Sequence, residues 1–355
     1  MSATLVTIGI PTFNRLSYLQ EAVHSALNQT YPTTEIIIHQ NPHPDEKITH
    51  SIRAWCQKMA QEHPHIRYHM HKKNIGAVAN FNSIADAAEG EFIMFIGDDD
   101  RLLPHAVETL IQHARPEIDV VFGNLYIIDA QGNRQEKLSQ TITREYYRHC
   151  LPTGELSGME AQIASWHVSI PIFASLIRTA TLQEFRFRED LLLTDTEFFI
   201  RLAHAGGRFV FTPQFVSEIR YHHQRITSSL THFEQLIQIL SQIEVPPEVV
   251  PYKRKALRAP FSIAITKKLL EGETEAARRF YLHPHNSFLN RVSLKGLIQG
   301  LCITLPHPWG HRLFQWLHHL HNPAYYEYEG EQWGEQALRP EPSQPSTSNT
   351  SVMTS

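Results

Sequence analysis

The chain has 355 residues, enough for one large domain or two modest ones, and its 42% hydrophobic share is ordinary for a soluble protein of enzyme size. A formal net charge of -4 makes no field of one sign that would favour nucleic acid or an acidic polymer, so a charged ligand must be met by a local site. Three cysteines without a CxxC spacing exclude a disulfide framework and a thiolate zinc site. The reducing cytosol suits them. The N-terminus has no basic region followed by a long apolar one, and no run is long enough to cross a bilayer, so a cytoplasmic location is expected.

Strands are predicted at 5–10, 35–39, 66–70, 91–96 and 119–123, alternating with helical patterns at 17–29, 46–62, 77–88 and 103–114. Such alternation implies right-handed crossovers and a mostly parallel sheet covered on both faces. Ligands in these sheets bind beyond the carboxyl ends of the strands. That singles out residues 11–15, 40–45 and 72–76, and the three adjacent carboxylates Asp98, Asp99 and Asp100. After 123 the alternation stops: NLYIIDAQGNR reads as a strand and turn, 157–165 as a helix and 169–177 as a strand. A helix starts near Thr194, and RFVF and FVSEIRYH read as two more strands. From 231 to 321 the pattern is helical, and the Pro/Ser/Thr-rich end is expected to be disordered.

Three like charges in a row at the end of an apolar strand disfavour one another's ionisation unless a cation or hydrogen-bond donors offset the repulsion. Carboxylates at such a sheet edge suit Mg²⁺ or Mn²⁺, hard ions that bind one or two protein carboxylates together with substrate phosphates. The alternative is a solvated acidic loop in which Asp100 helps to cap the helix announced by Pro104. None of the 23 histidines falls in a recognised metal-ligand spacing.

The ordered features Pro11-Thr12-Phe13-Asn14-Arg15, Ser25, Gln29-Thr30-Tyr31-Pro32, EIII, Asn74-x-Gly76, Asn80 and Gly90-Glu91-Phe92-Ile93 lead into the aspartate trio. Together they resemble the bacterial family-2 glycosyltransferases of glycan biosynthesis, inverting enzymes with the GT-A fold. The resemblance is close over residues 4 to about 125 and looser to about 225. It implies an α/β GT-A domain over 1–225, with a nucleotide-binding half at 1–123 and an acceptor half at 124–225. A helical region at 226–330 and a tail at 331–355 would follow.

The resemblance also implies site roles. Pro11, Thr12, Phe13 and Asn14 would border the nucleotide, with Asn74 and Gly76 assigned to the donor as well. Asp98 would contact ribose or metal, Asp99 and Asp100 would hold the metal, and His222, from an Arg-x-His element, would be a third ligand or a diphosphate donor. Arg220 of the same element would neutralise the leaving phosphates. Gln40 stands where the family has a base-binding Asp; its amide oxygen accepts without charge, which leaves UDP, dTDP and GDP sugars open. Displacing a nucleoside diphosphate in line requires a base on the opposite side of the anomeric carbon. Asp195, aligned with the family's acidic pattern with Thr194 replacing Glu and Arg201 kept, is the candidate. Thr194-x-x-Glu197 is equally a capping box, and an acid in the first turn suits the helix dipole whatever the function.

Trp166, His167 and Tyr126 are either aromatic faces for an acceptor sugar or core. Residues 286–322 contain no acid, and Arg291, Lys295 and Arg312 accompany Trp309, Phe314 and Trp316. This segment either meets a bilayer interface peripherally, where a lipid-linked acceptor would lie, or forms a lid on the catalytic domain. The expected activity is metal-dependent transfer of a sugar from a nucleotide diphosphate sugar to a hydroxyl of a saccharide or lipid-linked saccharide. A catalytically weak nucleotide- or glycan-binding homologue and a nucleotidyltransferase are the alternatives.

Overall fold

The predicted alternation is present in the computed structural model, which describes residues 3–191, 194–221, 233–306 and 308–321. Strands β1 (Val6–Thr12), β2 (Thr34–Gln40), β3 (Ile66–Met70) and β4 (Phe92–Phe95) are joined by helices α1 (Leu16–Leu27), α2 (Glu46–Glu62) and α3 (Ala77–Ala87). All pairings among these four strands are parallel, with β1 between β2 and β4. The period-2 alternation of a strand sends neighbours to opposite faces. Ile36 and Ile38 accordingly pack with Leu19, Ala22, Ile52 and Cys56 of α1 and α2, whereas Ile37 packs with Val78 and Ile84 of α3. Both faces are covered, as a parallel sheet requires. Helix α1 buries Leu19, Ala22, Val23 and Ala26, one helical face, and Asp45 caps α2 by accepting from Lys47 N.

The second half contains β5 (Arg101–Leu102), α4 (Ala106–Ile111), β6 (Val120–Ile128), α5 (Glu136–Glu145), β7 (Gly154–Glu155), α6 (Gly158–Trp166), β8 (Ser175–Arg178), α7 (Thr179–Phe185), α8 (Thr194–His204) and β9 (Phe209–Arg220). The sheet order is β3-β2-β1-β4-β8-β6-β9-β5, with β7 on β9. Short β8 runs antiparallel to both β4 and β6, and so joins the parallel first half to the parallel pair β6 and β9.

Three local readings change. The strand predicted at 169–177 starts only at Ser175, because Pro171, which lacks an N–H, leads into a 3-10 turn at Ile172–Ala174. The two runs predicted around 208–211 and from 215 onward fall in one strand, β9, which continues through Pro213 and ends at Arg220, and the runs either side of Gly123 are likewise one strand, β6. The β6–β9 register shifts around Asn124, whose side-chain amide donates to Pro213 O at 2.9 Å, so an irregularity replaces the expected breaks.

Helices α9 (Phe233–Gln242), α10 (Val250–Ala256), α11 (Arg258–Leu270), α12 (Thr274–Leu282), α13 (Phe288–Arg291), α14 (Leu294–Thr304) and α15 (Trp309–His321) follow. Leu236, Leu240, Leu257 and Phe261 pack on Trp166 of α6 and Ile200 of α8. A further cluster of Ile265, Leu269, Cys302, Ile303 and Phe314 continues from it. No described helix is long and apolar enough to cross a membrane. The expected boundary at 225/226 and the tail at 331–355 fall outside the described residues.

Candidate active site

A cavity of about 250 Å³ opens beyond the carboxyl ends of β1 and β4, where α3 and α8 begin. The end of β1 and the loop after it supply Pro11, Thr12, Phe13 and Arg15 to its lining, the loop after β4 supplies Gly97 through Asp100, and α8 supplies Thr194 and Asp195. Placement beyond strand ends agrees with the rule for open α/β sheets.

The acidic loop is pinned from both sides. Asp98 Oδ2 accepts from Thr12 Oγ1 at 2.8 Å and from Phe13 N at 3.3 Å, while Asp100 Oδ1 accepts from Arg220 N at 2.9 Å on β9. Arg15 bridges two of the three carboxylates, with Nη2 2.5 Å from Asp98 Oδ1 and Nη1 2.6 Å from Asp99 Oδ2. Burial alone would lower the Arg15 pKa, but Asp98 and Asp99 hold it above the ordinary value. Burial raises the pKa of Asp98, with Arg15, Thr12 Oγ1 and Phe13 N pulling the other way. Like charges in a row are thus tolerated because the Arg15 guanidinium and three N–H or O–H donors, Thr12 Oγ1, Phe13 N and Arg220 N, offset them.

Among the described residues, no group of three or more His, Cys, Asp and Glu is arranged as a ready metal site. The oxygens do converge at Gly97. A Cβ there would stand 2.6 Å from Asp100 Oδ2 and 2.9 Å from Asp99 Oδ1, so only glycine leaves both carboxylates this close beneath the cavity. Two carboxylates with room beside them suit a hard divalent ion that completes its shell with substrate phosphate and water.

Asp195 enters from α8. Burial raises its pKa above the ordinary carboxylate value, against the helix-start N–H groups of Thr196 and Asp195 itself, which lower it. Beside it Thr194 Oγ1 is buried without a hydrogen-bond partner among the described residues, in the lining of the same cavity. The capping box expected from Thr194-x-x-Glu197 does not account for the pattern, because the Glu197 carboxylate takes Arg201 Nε at 2.8 Å and Nη2 at 3.0 Å. Arg201 in turn donates to Phe185 O and Arg186 O, fixing the chain that precedes α8.

Several expected donor contacts stand differently. Gln40 is fully buried; its Oε1 accepts from Tyr68 Oη at 2.5 Å and its Nε2 donates to Thr49 O at 3.1 Å, so both ends of the amide are engaged away from the cavity. The next residue, Asn41, lines the cavity instead; it lies in the 40–45 segment that the sequence marks but was given no role of its own there. Asn74 and Gly76 do not line it. They shape the entry to α3: Asn74 Oδ1 accepts from Gly76 N at 2.9 Å, and Gly76 adopts φ 87°, where a side chain would be strained. Ala77, Val78, Asn80 and Phe81 of the helix so positioned line the cavity, as do Ile172 and Phe173 of the 3-10 turn. Asn14 is half-buried and outside the lining.

Arg220 reaches the cavity wall, but its guanidinium is committed. It donates to Asp99 O at 2.8 Å, Ala130 O at 3.0 Å and Glu21 Oε2 at 2.6 Å, and stacks 4.5 Å from the Tyr18 ring. The phosphate contact expected of it is therefore corrected: with no exposed side-chain surface, it holds the acidic loop from behind. His222 lies outside the described residues.

The aromatic acceptor candidates also lie elsewhere. Trp166 is buried against α9–α11 and donates to His204 Nε2 at 2.9 Å. His167 stacks on Tyr147 at 3.9 Å, and Tyr126 on Phe215 at 4.1 Å. None of the three lines the cavity. Helical and strand spacing made them visible as aromatics, and packing claims them as core or stacked pairs.

Behind α3 three imidazoles meet: the ring centroids of His39, His69 and His71 are 4.9–5.5 Å apart. His39 reaches Ser83 Oγ at 2.8 Å, and His71 Nε2 meets Oδ1 of the cavity-lining Asn80 at 3.0 Å. Burial, then the fields of His69, His71 and Arg67, push the His39 pKa down to about 3 from 6.5. A ring neutral when folded and protonated when unfolded supports stability fully above pH 6.5, and that support is lost progressively as the pH falls from 6.5 towards about 3. Urea unfolding across this window is expected to show that decline, and a shallower one in His39→Gln; equal slopes would remove His39 as its source.

A parallel half-sheet ending in an acidic loop, joined by an antiparallel strand to a half that sets a carboxylate opposite that loop, defines the GT-A class of nucleotide-diphospho-sugar transferase folds. Residues 7–175, just under half of the chain, match the family described as Glycosyl transferase family 2. It is 28% identical over 198 residues to the GalNAc(5)-diNAcBac-PP-undecaprenol beta-1,3-glucosyltransferase of Campylobacter jejuni subsp. jejuni serotype O:2, covering 56% of this chain and 59% of that one. The chain thus spans less than two thirds of that curated relative. Among solved structures it resembles S. aureus TarS 1-349 in complex with UDP-GlcNAc, with a TM-score of 0.52, 17% identity, and 84% of this chain and 79% of that one covered. The mannosyltransferase PcManGT from Pyrobaculum calidifontis, in complex with GDP-Man and Mn²⁺, matches with a TM-score of 0.51 and 14% identity, covering 92% and 88%. At these identities the two structures establish the fold alone, and the GT-A expectation is borne out.

Proposed function

We propose that the protein is a metal-dependent, inverting glycosyltransferase that moves a sugar from a nucleotide diphosphate sugar to a hydroxyl of a saccharide or lipid-linked saccharide, at the cytoplasmic face of a membrane. The observation that carries this reading is the convergence of Asp98, Asp99, Asp100 and Asp195, from two halves of the sheet, on one cavity. The donors named in the two related structures support the donor class, and the undecaprenol-linked name of the Campylobacter relative supports the acceptor class.

In this reading the loop Pro11–Phe13 and Asn41 flank the nucleotide, and Asp98, held by Thr12, faces its ribose. Asp99 and Asp100 would hold Mg²⁺ or Mn²⁺, which when bound offsets charge developing on the departing diphosphate. The acceptor oxygen bonds to the anomeric carbon as the bond to the diphosphate breaks, and the diphosphate leaves with the electron pair. Asp195 takes the acceptor proton. Thr194 Oγ1, buried in the wall and without a partner among the described residues, would bond a sugar hydroxyl. Arg15 must release Asp99 when a cation arrives, and the freed guanidinium then takes over the phosphate role that Arg220 is too committed to play.

A panel of nucleotide sugars tested by thermal shift, with and without Mn²⁺, is expected to show one nucleotide family stabilising the protein only with the ion, followed by release of nucleoside diphosphate. Arg15→Gln is expected to raise Mn²⁺ affinity measured without nucleotide, since the resident competitor is gone. Nucleotide binding without turnover would favour a non-catalytic binder, release of pyrophosphate a nucleotidyltransferase, and no metal-dependent binding would sink the reading.

A further inference from the structure

Twelve large apolar side chains are exposed among the described residues, and ten of them lie between Leu282 and Leu320, Leu138 and Met159 being the others. Their spacing is ordered. On α14, Leu294, Leu297 and Leu301 recur at i, i+3 and i+7, exposed by 77%, 56% and 53%, while Gly296, Gln299, Cys302 and Ile303 face inward. On α15, Trp309, Trp316 and Leu320 recur at i, i+7 and i+11, while Phe314 joins the buried cluster. Each helix therefore carries a second apolar stripe that the other described residues leave uncovered. Phe288, at 69%, and Leu289, at 65%, add to it from α13.

The charge of this surface selects the occupant. From Leu282 to Asn322 there is no Asp or Glu, whereas Arg291, Lys295 and Arg312 are interspersed with the apolar residues. A second copy would bring the same cations face to face with no acid to pair them. An anionic bilayer surface supplies the complementary charge and an apolar layer beneath it, and tryptophan at the edge of a basic apolar face is the usual composition for that boundary.

We propose that α13–α15 form a peripheral docking surface for a membrane rich in anionic phospholipid, with Trp309, Trp316 and the leucines of α14 inserted into the interface and Arg291, Lys295 and Arg312 at the headgroups. The surface acts without reference to the nucleotide cavity, so it stands or falls independently of the sugar-transfer chemistry, although it bears on the membrane location in that reading.

Sedimentation with vesicles of phosphatidylcholine, with and without phosphatidylglycerol, tests it with no nucleotide present. The natural protein is expected to partition onto the phosphatidylglycerol vesicles. A Leu297→Ser, Trp309→Ala, Trp316→Ala variant should do so at least about tenfold more weakly at an unchanged melting temperature, because these side chains touch little of the core. Arg291→Gln, Lys295→Gln, Arg312→Gln should erase the preference for anionic vesicles. The proposal is overturned if the natural protein stays in the supernatant, if it binds both vesicles alike, or if the apolar variant partitions normally. It is also overturned if light scattering without vesicles shows a dimer that the same three apolar substitutions dissolve.

Discussion

Asp195→Asn is expected to lower the turnover number for sugar transfer by about 10²–10⁴-fold, the range associated with loss of a positioned base, and to leave nucleotide affinity unchanged. In the proposed reading the donor-side contacts come from the end of β1 and the loops after β1 and β4, which are tied to one another rather than to Asp195, and Asn keeps the volume of Asp, so ground-state binding has no reason to move. The pH profile supplies the sign. A base works ionised, and burial raises the Asp195 pKa above its ordinary 3.8, so the acid limb of kcat/KM should lie above that value and vanish from the residual rate of the variant. Ionisation at neutral pH in this buried place also opposes folding, so the variant should melt no earlier than the natural protein. Loss of turnover together with an earlier melt would point to a structural role.

Arg220→Met is expected to destabilise the protein by about 3 kcal/mol in urea unfolding. The guanidinium has no exposed surface, and its removal leaves Asp99 O and Ala130 O without their donor. Its partner Glu21 is 41% exposed, so water takes over much of that contact and the ion pair itself adds little. Because the same side chain anchors the backbone of Asp99, donor affinity should fall with stability, and Arg220→Lys should recover part of both. Were Arg220→Met to weaken donor binding at unchanged stability, the arginine would be a direct phosphate ligand after all.

The contrast between Arg15 and Arg220 shows where the sequence was legible and where it was not. The βα alternation exposed the strand ends, and hence the acidic trio and the loop Pro11–Phe13, because burial on both faces writes itself as uninterrupted apolar runs such as FIMFI. Both arginines stand at or just after a strand end, so periodicity gives them equal standing; which guanidinium is committed to the backbone depends on how β9 crosses behind the acidic loop, a contact between residues over a hundred positions apart. Gln40 and Asn41 differ in the same way. Adjacent residues at the end of β2 point to opposite sides, and a resemblance that fixes the position does not fix the direction of the amide. Trp166 carried no sign that α9–α11 would pack against its face, and the hydroxyl of Thr194, without a partner among the described residues, was hidden beneath a capping pattern that its glutamate does not complete.

The ion pair that Arg15 makes with Asp98 and Asp99 also bears on how the chain comes to exist before any substrate arrives. A nascent polypeptide whose acidic knot required a mineral counterion would mature only where that ion was plentiful. Here the counterion is encoded in the chain itself as Arg15, so, in the proposed metal-dependent reading, chelators should strip catalytic competence from the finished protein and leave its architecture standing.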